Sequence, residues 1–184
     1  IQEAMTTKIL DTADFDMTPA AYLELTATAL DESLAVARTL AQDTDRLLAQ
    51  GIVVDWQPAL RLPWVMGAES RLRSMIKQLV DNAIDAMSQP QVRRRELFVS
   101  TGVENQQVVR LEITDSGPGI PPGLELKVFE PLFSTKPPHK TGHGMGLAMV
   151  QEIVAEHAGL VHIDSAYRDG CRVVVELPLS AAGN

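Results

Sequence analysis

Three short runs of this 184-residue chain carry residue types suited to holding a charged, flat ligand. The first is Asp81-Asn82-Ala83-Ile84-Asp85-Ala86-Met87, inside a stretch of helical periodicity. Asn82 shares a helix face with Gln78, because residues four apart are neighbours one turn on. An amide oxygen can ligate Mg²⁺ without adding charge, and that ion takes few protein ligands where phosphates and water fill its shell. Read alone, Asn82 is better taken as an ordinary surface asparagine. The second run is Asp115-Ser116-Gly117-Pro118-Gly119-Ile120, directly after a hydrophobic strand pattern. A carboxylate at a strand end can accept a hydrogen bond from an exocyclic amine such as adenine's. The paired glycines let the backbone approach a flat ring. The third run, Gly142-His143-Gly144-Met145-Gly146-Leu147, opens a helix. Alternate glycines let a backbone bend around an anion, and a helix N-terminus supplies unpaired N–H groups with partial positive charge. Lys136, Lys140 and His143 lie in or beside that loop. The run lacks the Gly-Lys-Ser/Thr ending of a P-loop, and no strand leads into it as in a dinucleotide fingerprint.

These runs need elements to carry them. Apolar spacing predicts an amphipathic helix over 69–88, with Leu72, Met75, Ile76, Leu79, Ala83, Ile84 and Met87 buried. Alternating strands are expected at 96–102 and 107–114 around a polar turn, with further strands at 52–56, 160–165 and 172–177. A short helix is expected at 124–129 and another at 145–158. Thr18-Pro19 reads as a helix start, and the Ala/Leu pattern from 20 to 50 as one long helix ending at Gly51. The order of elements does not alternate as a doubly wound sheet would. It predicts an α+β two-layer sandwich, with a mixed, mainly antiparallel sheet and helices packed on one face. Residues 1–50 are expected to form an N-terminal helical segment, the end of a dimerisation or linker region, and 51–180 the ligand-binding domain.

Composition narrows the function. Hydrophobic residues make up 45% of the chain, enough for one sizeable core, and aromatics only 4%, so aliphatic side chains must fill it. The formal charge of −8 argues against a nucleic-acid surface, which needs a basic face. The single cysteine, Cys171, excludes an internal disulfide and reads as a buried structural thiol. A cytoplasmic setting is expected, since no apolar run is long enough to cross a bilayer and no signal peptide opens the chain. The chain begins at Ile1, which reads as a piece of something longer, with any sensor or anchor upstream.

In order and spacing the three runs resemble the GHKL family of gyrase-type ATPases, Hsp90 and histidine kinases, over about 51–178. Asn82 is similar to that family's magnesium-binding asparagine, and Asp115, Gly117 and Gly119 to its adenine-binding box. Phe129, Pro131 and Phe133 resemble the kinases' phenylalanine box. Gly142, Gly144 and Gly146, with Lys136, His143, Met145 and Leu147 around them, resemble the lid over the phosphates. The resemblance implies a Bergerat-type fold holding ADP or ATP with Mg²⁺.

Two departures bear on activity. ATP-hydrolysing members of the family resemble one another in placing a Glu where this chain has Gln78, and an amide cannot act as a general base. Hydrolysis is therefore not expected. An acceptor histidine on a preceding hairpin is also missing, since all four histidines (His139, His143, His157 and His162) fall in or after the lid. His157 and His162 read as structural. Within the family, the text at 78–87 and 115–122 resembles nitrogen-fixation regulators of the NifL type, kinase look-alikes that bind ADP and sequester a transcription activator of the NifA type. That resemblance implies a nucleotide-sensing module acting by protein contact. The alternative is the catalytic domain of a sensor histidine kinase that phosphorylates a histidine upstream. The apolar stripe of 20–50 would suit a homodimer, a partner surface or core.

Overall fold

The computed structural model describes residues 29–30, 32–59, 62–63, 65–133 and 144–179. In chain order the elements are β1 (Ala29–Leu30), α1 (Glu32–Gln42), α2 (Thr44–Ala49), β2 (Val53–Gln57), β3 (Val65–Met66), α3 (Glu69–Met87), β4 (Glu96–Glu104), β5 (Val108–Asp115), a 3₁₀ turn (Lys127–Phe129), α4 (Gly146–Glu156), β6 (Leu160–Ile163) and β7 (Cys171–Pro178). Five strands form one sheet in the order β2-β4-β5-β7-β6. Only the β2–β4 pair within it is parallel; the other neighbours are antiparallel.

The period-2 alternation of β4 and β5 gives the sheet two unlike faces. Leu97, Val99, Val109, Leu111 and Ile113 point inward and are buried. They meet Val173, Val175 and Leu177 of β7 and the apolar stripe of α3 in one core. On the opposite face Arg110 ion-pairs with Glu104 and Glu112, both at 2.8 Å. This is the expected two-layer sandwich, with a mixed, mainly antiparallel sheet and helices on its apolar face. The β4–β5 turn is where the polar run placed it. Asn105 and Gln106 take positive φ of 51° and 56°, the twist that tight hairpins require.

Helix α3 spans Glu69–Met87, and the eight residues it buries include all seven of the expected stripe, with Val80 added. Arg71 clasps Glu156 of α4 through Nε and Nη2, at 2.9 and 2.5 Å. Arg46 of α2 reaches Asp81 and Asp85 of α3. These partly exposed pairs fix which way the helices face more than they add stability.

The single long helix expected over 20–50 is not what forms. Residues 1–28 lie outside the described part, and Leu30 sits in β1, paired with Val65. The helical remainder breaks at Asp43, between α1 and α2. The Thr39 and Thr44 hydroxyls donate to the carbonyls of Ala35 and Leu40, at 3.0 and 3.1 Å. Such back-bonding competes with the helical ladder and bends it. Ala35, Val36, Leu40 and Leu47 are buried in the same core as α3, so the apolar stripe of this stretch serves as core. The helix expected at 124–129 is a single 3₁₀ turn, its Val128 and Phe129 buried. The paired strands β1 and β3, two residues each, are too short for periodicity to show.

Leu111 is fully buried at the centre of the sheet. Leu111→Ala is expected to lower unfolding free energy by ~2–5 kcal/mol through lost burial plus a residual cavity, read from a shifted urea midpoint with unchanged slope.

Candidate functional site

Strand β5 ends at Asp115, which is 6% exposed although it is a carboxylate. Its Oδ1 accepts the Gly117 N–H at 2.8 Å, and the Cys171 backbone amide of β7 also donates to it. Burial nonetheless dominates and pushes its pKa from 3.8 up to about 6. The backbone folds tightly over it. A Cβ at Gly117 would lie 2.7 Å from Asp115 Oδ1 and 3.0 Å from the Ala86 methyl of α3. Gly119, at φ +75°, would press on the Gly170 carbonyl at 2.8 Å, and a Cβ at Gly170 would fall 1.8 Å from the Asp115 carbonyl. Gly117 and Gly119 were legible as a box. Gly170 was not, since it is 55 residues away in sequence and only the Asp115–Cys171 register of β5 and β7 brings it here. Ser116 was also missed. Its hydroxyl accepts the Glu96 N–H and donates to the Arg94 carbonyl, both at 2.8 Å, locking the turn to the start of β4.

Asn82 lies on α3, one turn before Ala86 and one after Gln78. Gln78 Nε2 donates to Asn82 Oδ1 at 3.2 Å. Asn82 Nδ2 is buried and has no hydrogen-bond partner among the described residues. The neighbouring carboxylates Asp81 and Asp85 turn the other way, to Arg46. So residues 78, 82 and 86 form one stripe of α3, touching the first turn of α4 at one end and the Asp115 turn at the other. At 1.5 Å per residue the stripe runs roughly 12 Å, the reach of a nucleoside diphosphate. An orphaned buried amide midway along it fits a ligand rich in oxygen, such as a phosphate with its Mg²⁺. Among the described residues no cluster of three His, Cys, Asp or Glu could hold a metal unaided, so any such ion would lean on the phosphates.

The third run enters the described structure only at Gly144. Lys136, Gly142 and His143, with Lys140 and His139, lie outside the described residues. Gly144 has φ +68°, and a Cβ there would strike the backbone of Leu132 and Phe133 at 2.6–2.8 Å. Its carbonyl accepts the Leu132 N–H at 3.0 Å. Leu132 itself sits at φ 67°, a conformation a leucine rarely adopts. The two ends of the loop are thus pinned together by strained backbone. Phe129 is buried and Phe133 half-buried, both in or against the core, while Pro131 is exposed. Met145 caps α4 with its side chain half in solvent, and Leu147 packs on the core. A Cβ at Gly146 would meet the Gln78 amide at 2.4 Å. His157 is structural, as expected: its Nδ1 lies 2.6 Å from the Ile153 carbonyl, and Gly67 leaves room for its ring. Cys171 is half-buried, its thiol pushed up to about 12 by burial and by Asp115.

A buried acceptor, an amide stripe and a helix N-terminus on one face of a two-layer sandwich define an adenine-nucleotide-binding domain. The chain belongs to the histidine kinase-, DNA gyrase B-, and HSP90-like ATPase family, whose model matches residues 67–181. Among curated proteins it is 33% identical over 130 residues to sensor protein CitS of Halalkalibacterium halodurans, covering 70% of this chain and 24% of CitS. It is 32% identical over 123 residues to the sensory histidine kinase/phosphatase NtrB of Rhodobacter capsulatus, covering 62% of this chain and 33% of NtrB. The chain thus spans a third or less of these relatives. Its fold matches the catalytic domain of histidine kinase ThkA, with TM-score 0.71 at 23% identity over 82% of this chain and 94% of that one. It also matches full-length ShkA in complex with AMPPNP, with TM-score 0.70 at 23% identity over 84% of this chain and 32% of ShkA.

Two outcomes follow. Because the folded pKa of Asp115 is raised, the native state binds its proton more readily than the unfolded chain does. The buried carboxylate therefore opposes folding by about 3 kcal/mol at neutral pH, and this opposition fades as pH falls from about 6 through 3.8. The same protonation removes the acceptor, so nucleotide affinity should fall as pH drops from 7 to 5. Asp115→Asn should bind more weakly at pH 7 and show no such pH dependence; calorimetric titration at several pH values checks both. Gly144→Ala meets backbone on three sides, so it should lower the thermal midpoint of the free chain and weaken nucleotide binding with it.

Proposed function

We propose that the chain is the catalytic, ATP-binding domain of a sensor histidine kinase, which presents the γ-phosphoryl group of Mg-ATP to a histidine elsewhere in the parent protein. The observation that carries this reading is the α3 stripe of Gln78, Asn82 and Ala86, joining Asp115 to the first turn of α4. In this reading Asp115 accepts the adenine amine, with Gly117 and Gly119 against the ring. Asn82 would hold Mg²⁺, which when bound would neutralise charge on the phosphates. The N-terminus of α4 with Gly144, Met145, Gly146 and Leu147, and the lid residues Lys136, Gly142 and His143, receive the phosphate oxygens. Phosphoryl transfer of this kind depends mainly on positioning and charge stabilisation. Gln78 cannot activate water, which suits a site that must hold ATP without hydrolysing it.

Sequence resemblance favours the NifL-type regulator first. The names of the curated relatives, a sensory histidine kinase/phosphatase among them, support placing the kinase reading first here. A response regulator is then the expected protein partner, since ThkA was solved in complex with response regulator protein TrrA. A homodimer, built through residues 1–50 as a dimerisation or linker segment, is part of the same proposal, with 51–180 as the nucleotide-binding unit. A cytoplasmic setting follows from the ligand; among the described residues no helix is long and apolar enough to cross a membrane.

One observation keeps the NifL-type reading as a second. Gln78 already engages the Asn82 oxygen that would face the metal, an arrangement suited to a diphosphate read as a signal and relayed by contact to a transcription activator. A ligand can relay such a signal only if it favours one lid state over another. Titration of the chain with ADP and with a non-hydrolysable ATP analogue, each with Mg²⁺, separates the two. The kinase reading expects comparable or tighter binding of the analogue. Clearly tighter ADP binding would favour the regulator, and no binding of either would overturn both.

A further inference from the structure

Gly146 belongs to the glycine run whose evident purpose is to leave room for phosphate, yet a protein side chain fills the space beside it. A Cβ there would lie 2.4 Å from Gln78 Nε2, 2.8 Å from its Cδ and 3.2 Å from its Cγ. No other group comes as near, so the whole end of the Gln78 side chain lies against the first residue of α4. The same Nε2 donates to Asn82 Oδ1. One amide therefore connects the N-terminal turn of α4, where the lid ends, to the amide placed on the metal side of the site.

We propose that Gln78 is a positioning residue that couples the lid end of α4 to Asn82, and that Gly146 is glycine to let Gln78 take this position. The proposal rests on the nucleotide-binding reading of the site given above. The contact is of the kind that can be broken without unfolding the chain. The Gln78 amide is the far end of a flexible side chain, so an alanine methyl at Gly146 would push it aside rather than displace backbone. At Gly144, by contrast, the obstructing atoms are the backbone of Leu132 and Phe133. A displaced Gln78 leaves Asn82 Oδ1 without its donor and the Asn82 amide free to rotate. The consequence falls on the metal: Asn82 no longer holds one orientation toward a Mg²⁺-bound phosphate. Nucleotide binding in the absence of Mg²⁺ has no such requirement.

The test is a double-mutant cycle on the 184-residue chain, with ADP affinity measured by calorimetry in Mg²⁺ and again in EDTA. The readout is the ratio of the two affinities, which a general loss of fold would not change selectively. Gln78→Leu, similar in size but without the donor, is expected to reduce the Mg²⁺ enhancement about tenfold. Gly146→Ala is expected to reduce it to a similar degree, with the thermal midpoint of the free chain kept. Combining the two should add nothing further, because both remove the same interaction. Additive losses would mean that the methyl at position 146 acts by a route other than Gln78, and would overturn the proposal. An unaltered ratio in Gln78→Leu would overturn it as well. If the unmodified chain bound no ADP under either condition, the nucleotide-binding reading itself would fail, a result distinct from either of these.

Discussion

The structure is organised around a carboxylate kept out of water with no ion-pair partner among the described residues. Asp115 is compensated by backbone amides, from Gly117 in its own turn and from Cys171 on the neighbouring strand. Backbone can come this close only where side chains are absent, which is why Gly117 and Gly170 lie against Asp115 and Gly119 lies against Gly170. The register of β5 against β7 delivers the third of them, and Ser116 anchors the turn to β4. On the proposed reading, a group that opposes folding at neutral pH persists in a core position because a carboxylate is a strong, directional acceptor for an amine at the strand end. The aliphatic core on the same face of the sheet offsets the cost.

Helix α3 joins that acceptor to everything else. One of its faces is core, from Leu72 to Met87, and a second face carries Gln78, Asn82 and Ala86 at intervals of one turn. A third, carrying Asp81 and Asp85, is held by Arg46 of α2. The site is therefore precise without belonging to a loop. A rigid helix sets the spacing between the Asp115 turn and the first turn of α4, while Leu132 and Gly144 are clasped together.

Much of this was legible in the sequence. The stripe of α3, the β4–β5 hairpin and the Asp115 box each show in local periodicity or turn chemistry, because local rules decide them. The features that stayed hidden are those that depend on distant partners. Gly170 reads as a turn glycine until strand register sets it against Asp115. Gly146 reads as a phosphate glycine until Gln78 is found against it. The Ala/Leu pattern from 20 to 50 reads as one helix because propensity cannot weigh the threonine back-bonds and the Asp43 break against it. The sequence singled out residues 78, 82 and 115 one by one; their mutual spacing came only from the fold.

The central claim is that Asp115 reads the exocyclic amine of adenine, and the most direct test replaces that amine on the ligand. Affinities of the chain for adenosine diphosphate and inosine diphosphate, measured side by side with Mg²⁺, differ only in what faces the carboxylate. The account predicts that the inosine nucleotide binds far more weakly, by about a hundredfold or more, since its carbonyl would oppose a buried acceptor and leave it unpaired. Equal affinities would contradict it and remove Asp115 from the binding site.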